Sequence, residues 1–156
     1  MRGSLNLYPA WGYTYGPPMA VAPINRVRAV LDYAVTAIPR NKINLGIPNY
    51  AYDWALPYER GVTAASNISN VEAVRRAALH RADIQFDEIA QSPFYEYTVD
   101  GIAHIVWFED VRSIQAKLRL IPEYGLMGAG YWSLMKPFRA NWLLLNSLFE
   151  IAVRPA

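Results

Sequence analysis

The 156-residue sequence contains no cysteine. That removes disulfides, thiolate catalysis and cysteine-based zinc sites together. Such a chain suits a reducing interior and equally many bacterial secreted proteins, so the compartment stays open. Histidine is nearly as scarce: His80 and His104 are the only two, and neither has a neighbour at metal-ligand spacing. Both read as structural or merely exposed, and nothing calls for a metal or another cofactor. Charge of one sign is also lacking. The 15 basic and 13 acidic residues leave a net charge of +2, with the basic residues dispersed, which argues against nucleic acid. No apolar run approaches the length of a membrane span. Trp142 to Leu145 is soon broken by Asn146, Ser147 and Glu150. Met1 to Ser4 lacks the apolar run of a signal peptide and reads as a leader. A glycine-rich phosphate loop and a Ser-His-Asp ordering are absent as well.

What is present is apolar and ring-rich. Hydrophobic residues make up 53% and charged residues 18%, a balance that builds one folded domain with a real core. Ile24, Val27, Val30, Leu31, Ala34 and Ile38 fall on one helical stripe, with Pro23 at its start and Pro39 at its stop. Residues 43–48 read as a buried strand. Ser69-Asn70-Val71-Glu72 has capping-box spacing and opens a helix to about Arg81. Phe94 to Val99, Asp100-Gly101 and Ile102 to Phe108 read as a hairpin, and Ile84-Gln85-Phe86 as a third strand beside it. Asp110 caps a helix that Gly125 ends, Leu126 to Trp132 forms a further strand, and a last helix covers about 140–151. With a strand near residues 5–11, the alternation implies α/β architecture with parallel strands and right-handed crossovers. About three parallel strands would leave both edges open, so the pattern reads as the last part of a larger (β/α) barrel. Open edges also allow a homo-oligomer.

In a (β/α) barrel the functional groups lie beyond the C-terminal ends of the strands. Three such places carry aromatic clusters here: Tyr8 to Tyr15, Asn49 to Tyr58, and Tyr131-Trp132 with Trp142 downstream. The middle one, NYAYDWALPY, reads as a loop following the strand 43–48. Amphipathic rings suit stacking on the CH face of a sugar, and they suit closing a barrel end as core. Both readings stand on the residues alone. Asp53 is the best-placed acid, among rings at a strand end. Glu109 and Asp110 follow another strand, with Asp110 more simply a cap, whereas Asp87, Glu88 and Glu96 are expected to be solvated. No pair of acids on neighbouring strand ends stands out for two-carboxylate glycoside hydrolysis.

Four segments occur in an order that resembles the C-terminal half of glycoside hydrolase family 18, spore-cortex-lytic N-acetylglucosaminidase type. They are Trp11 to Ala20 (WGYTYGPPMA), Ile43 to Trp54, Val106 to Asp110 (VWFED) and Gly128 to Leu134 (GAGYWSL). The resemblance covers roughly residues 11–151. It implies the sixth, seventh and eighth strands of a (β/α)8 TIM barrel, with residues 11–54 and 110–156 as partial barrel. Residues 55–109 would be an α+β insertion between the last two strands, and residues 1–10 a leader or divergent N-terminus. It further implies a glycan partner containing N-acetylglucosamine, and a bacterial spore or cell-envelope setting. Trp132 would floor the sugar subsite at which cleavage occurs. Tyr50, Tyr52, Asp53 and Trp54 would line the same cleft, and Trp11 and Tyr13 would also bind substrate.

The family mechanism is substrate-assisted: the acetamido oxygen of the substrate attacks the anomeric carbon while a glutamate protonates the leaving group. That glutamate belongs to a D-x-x-D-x-D-x-E motif on the fourth strand, and no segment here matches it. The general acid is therefore expected upstream of residue 1, in a complementing N-terminal half. The isolated chain is expected to be inactive, a non-catalytic sugar-binding module or a truncated product. In the sixth-strand motif the family's intermediate-stabilising tyrosine stands two residues before the tryptophan. Here Tyr8-Pro9-Ala10-Trp11 has one residue more and no acid, so Tyr8 is a weak heir to that role. Ala51 and Met135 stand where related sequences often carry glycine.

Overall fold

The computed structural model describes the backbone of residues 5–7 and the whole of residues 12–151. Two sheets share the chain. The first is parallel and has the order β1 (Leu5–Leu7), β2 (Ile43–Pro48), β8 (Gly128–Trp132). The second is antiparallel and lies between β2 and β8 in sequence. It comprises β3 (Ala51–Ala55), β4 (Ser66–Ile68), β5 (Gln85–Asp87), β6 (Ser92–Val99) and β7 (Ile102–Trp107), in the spatial order β4-β3-β7-β6-β5.

Helices follow from local signals. α1 (Ile24–Ala37) buries Ile24, Val27, Leu31 and Ala34, the stripe set by the helical period. α2 (Asn70–Leu79) begins where the Ser69 side chain accepts a hydrogen bond from the Glu72 N–H. α3 (Val111–Tyr124) has a reciprocal box between Asp110 and Ser113. It closes on Gly125, whose φ of 65° is the left-handed conformation that suits glycine at a helix end. α4 (Arg139–Leu148) follows β8.

The parallel sheet has two different faces because side chains alternate along each strand. Ile43, Leu45 and Ile47 of β2 are wholly buried with Leu31 of α1, Ile114 and Leu118 of α3 and Leu144 of α4. Ala129 and Tyr131 of β8 join that core. The register pairs Asn44 with Gly128, Gly46 with Gly130 and Pro48 with Trp132, so the opposite face is built of small or polar residues and ends in a tryptophan.

The largest departure from the sequence reading is β3. Residues 51–55 form the strand joining β4 to β7, not a loop, so only Asn49 and Tyr50 separate β2 from the second sheet. Its partner β7 lies some fifty positions downstream, and no local signal announces such pairing. One face of this sheet carries Ala51, Tyr95, Val106 and Phe108, packed against Ala73 and Ala77 of α2. The other carries Tyr52, Trp54, Ile105 and Trp107, packed against Val21 and Ala65.

Candidate functional site

The C-terminal ends of β2 and β8 meet at Asn49. Its N–H donates to the Trp132 carbonyl at 2.7 Å, carrying the ladder one residue past the strands. Its side chain is wholly buried and donates to the Lys136 carbonyl at 2.7 Å and the Ser133 carbonyl at 3.5 Å. Asn70, buried at the start of α2, donates to the Asn49 side-chain oxygen at 3.4 Å and accepts the Glu109 N–H at 3.0 Å. Two buried amides thus tie together the end of β2, the loop after β8, the start of α2 and the segment after β7. A buried amide needs this satisfaction, and here it also fixes the loop that begins at Trp132.

Trp132 itself is 65% exposed, at the C-terminal end of its strand, followed by exposed Leu134 and Met135. The Trp132–Ser133 peptide bond is cis. Tyr50 stands beside the same junction, half-buried, with its ring 5.5 Å edge-on from Tyr52 and 6.0 Å from the Lys136 ammonium. Burial pushes the Tyr50 hydroxyl up to about 12, so it remains a neutral donor near neutral pH. Lys136 donates to the Asn67 side chain of β4. Tyr13 and Tyr15 are exposed on the loop that precedes α1.

The other rings expected in the cleft point elsewhere. Trp54 has no exposed surface, and its indole N–H donates to the Gly16 carbonyl at 2.9 Å. Tyr52 is 8% exposed and packs on Trp54 at 5.5 Å. With the Tyr58 hydroxyl, which donates to the Tyr15 carbonyl at 2.9 Å, they bind the loop of residues 12–22 to the second sheet. Trp142 sits against Tyr131, on the helix side of the parallel sheet rather than beside Trp132. Tyr8 and Trp11 lie outside the described residues.

The acids are engaged too. Asp53 is buried, and one oxygen accepts from Arg76 and, at 2.7 Å, from the Tyr97 hydroxyl. Its other oxygen lies 2.8 Å from His104 Nδ1. Glu109 is wholly buried and accepts from Lys117 at 2.8 Å. Burial pushes the Glu109 carboxyl up, against the downward pull of the Lys117 ammonium. Among the described residues both carboxylates have a cationic partner, while the second, buried oxygen of Glu109 accepts no hydrogen bond. His104 stacks on Tyr97 at 4.8 Å, and His80 lies over the same ring at 4.5 Å.

Of the residues expected in the cleft, Trp132 starts the loop that Asn49 holds and Tyr50 follows Asn49 in sequence. Asn49 and Asn70 look like ordinary strand-end and helix-start residues in the sequence. Lys136 carries no signal before its neighbours are known.

The sequence pattern described as Glycosyl hydrolases family 18 matches residues 6–136. The cortical fragment-lytic enzyme of Bacillus subtilis is 50% identical over 142 residues, 90% of this chain and 33% of that protein. The crystal structure of the Bacillus cereus spore cortex-lytic enzyme SleL superposes with a TM-score of 0.92 at 41% identity, over 96% of this chain and 35% of that one. A chitinase from Chromobacterium violaceum gives 0.84 at 29% identity, over 92% of this chain and 44% of its own. The chain spans about a third of the length of the cortex-lytic relatives it matches. Its mixed α/β fold is part of a TIM-barrel-type architecture. The chain belongs to the glycosyl hydrolases family 18.

Proposed function

We propose that this chain forms the sugar-holding wall of a glycosidase cleft that acts on N-acetylglucosaminyl bonds in peptidoglycan or chitin-like glycans. β1, β2 and β8 would be the sixth, seventh and eighth barrel strands, with the antiparallel sheet as the insertion between the last two. The observation that carries this reading is Trp132: a large ring held 65% exposed at a strand's C-terminal end by a buried amide clamp. An exposed tryptophan fixed in this way offers a flat apolar platform for a pyranose. The neutral hydroxyl of Tyr50, the residue after Asn49, would orient the ring substituents.

In the substrate-assisted scheme the acetamido oxygen of the bound sugar attacks its own anomeric carbon. The leaving oxygen then takes a proton from a glutamate. The 156 residues hold no D-x-x-D-x-D-x-E motif, so that glutamate must come from other sequence. Without a general acid the rate falls by about 10²–10⁴, and this chain tested alone binds without cutting. The pairing of Asp53 with Arg76 and of Glu109 with Lys117 favours a second reading, sugar binding with no catalysis in any assembly.

One experiment separates them. The chain is mixed with a family 18 fragment that carries the acidic motif, and release of an aryl leaving group from an N-acetylglucosaminide is followed. Turnover above either piece alone, lost in Trp132→Ala, supports the glycosidase wall. Binding of chitotetraose without turnover supports the second reading, and absence of both refutes the two together.

A further inference from the structure

The groove between α1 and α3 holds hydrogen-bond donors that the protein leaves unused. Arg112, Gln115, Arg119 and Glu123 recur at three- and four-residue spacing, so they share one face of α3. With Arg28 of α1 and Gln91 of the turn between β5 and β6, they line a concavity of about 320 Å³. None of these residues belongs to the Trp132 site. Towards the C-terminal end of α3, Arg28 and Glu123 close on each other through two hydrogen bonds, so neither charge is left over. Near its N-terminal end, Arg112 Nε donates to Asp110 at 2.9 Å while the guanidinium carbon lies 4.1 Å from the Phe86 ring centroid. These contacts hold the Arg112 fork in place, and its terminal N–H groups have no acceptor among the described residues. Between the two ends, Arg119 has neither a carboxylate nor a hydrogen bond among the described residues, and the Gln91 and Gln115 side chains have no partner either. A held arginine, a free arginine and two free amides around one concavity form a donor array completed by an oxyanion.

We propose that this groove is a second binding site, which takes an anion carrying a phosphoryl group. It does not depend on the sugar-cleft reading. Guanidinium forks match phosphate oxygens in pairs, and two forks are available here. A phosphoryl group presents its oxygens in several directions, so Arg112, Arg119 and the two amides can donate to it together. A carboxylate offers two oxygens in one plane and leaves part of the array unused. The saturated Arg28–Glu123 pair bounds the site, and the concavity has room for part of the molecule that bears the phosphoryl group.

The test is isothermal titration of the full chain with sodium pyrophosphate at fixed ionic strength, which keeps general screening constant. Saturable binding is expected. Arg119→Gln should weaken it about tenfold, the scale of one charge-assisted hydrogen bond at a partly exposed site. Gln115→Glu places a carboxylate four residues before Arg119, where it pairs with the free guanidinium and fills the site from within. It should weaken binding at least as much, with no fall in the thermal midpoint. Arg60→Gln removes another exposed cation, in the loop between β3 and β4, and should leave the affinity unchanged. Dimethyl phosphate, titrated in parallel, distinguishes the source of the group. Tighter binding of pyrophosphate points to a terminal phosphoryl group and tighter binding of the diester to a phosphodiester chain, and either result keeps the inference. No saturation by millimolar concentrations of both probes overturns it. Equal weakening in Arg119→Gln and Arg60→Gln overturns it likewise, because attraction to net charge then explains the binding. Citrate bound as tightly as pyrophosphate overturns the phosphoryl assignment.

Discussion

Asp53 and Trp132 both sit at strand ends among aromatic rings, and they do opposite work. Asp53 is buried and accepts from Arg76 and Tyr97, with His104 against its second oxygen, so its charge is consumed inside the protein. Asp53→Asn keeps the shape but removes the charge that Arg76 faces. Breaking a buried pair in this way typically costs about 3–5 kcal/mol, and with Arg76 still 29% exposed the lower end is expected. Chemical denaturation of the variant checks this, and a loss under about 1 kcal/mol would show that water replaces the carboxylate freely. Trp132→Ala, in contrast, should shift stability by no more than about 0.5 kcal/mol, since the ring is mostly outside the core. Nothing in the sequence separates these residues, or Trp54 from Trp132. The difference lies in what covers them. Trp54 meets the Gly16 carbonyl, nearly forty positions away, and no local pattern records that contact. Trp132 has Pro48 as its cross-strand neighbour and Gly130 before it on the same face, and it stays 65% exposed.

At the scale of elements, legibility follows the range of the interactions. The hairpin of β6 and β7 was readable because Asp100 and Gly101 supply the positive φ values, 51° and 77°, that a tight two-residue turn requires. The helices were readable from their stripes and caps. β3 was not, because its identity comes from pairing with β7 and β4 rather than from its own residues. The start of α2 shows a finer difference. Ser69 caps as its spacing implies, but Glu72 does not reach back to complete the box. It binds Arg75 at 2.7 Å and Arg76 at 2.9 Å instead. These two guanidinium groups hold the Glu72 carboxyl down to about 2, from an ordinary value of 4.5. A carboxyl lowered on folding adds stability that is complete above its unfolded pKa and is lost as the pH falls through the folded one. The loss should therefore run from about pH 4.5 down to about pH 2. Glu72→Gln should unfold at a lower urea concentration than the parent at pH 6 and at nearly the same concentration at pH 2. Screening keeps the effect small, because the group is partly exposed. A gap between the two proteins that does not narrow on acidification would show that Glu72 acts through packing rather than charge.

For the molecule as a whole, the parallel sheet sets the behaviour in solution. Among the described residues, β1 and β8 each have β2 as their one hydrogen-bonded neighbour, so each presents an edge. Beside β8 lies a mainly apolar groove lined by Ile121, Met127, Tyr131, Leu145, Phe149 and Ile151, with Glu150 at its wall. Met127 and Ile151 are half exposed there. An unpaired strand flanked by apolar surface is a template for another strand, and the same surface would receive a complementing barrel piece. In its absence a second copy of the chain is the available partner. Sedimentation equilibrium of the chain alone should show mass above 17.7 kDa that grows with concentration. Met127→Glu should move the distribution toward monomer by replacing an apolar contact with a second acid beside Glu150. Adding the motif-bearing fragment should do the same while turnover appears, because one edge cannot serve two partners. A single species of monomer mass at every concentration would mean that the edges are protected within the chain, and complementation through β8 would then lose its physical basis.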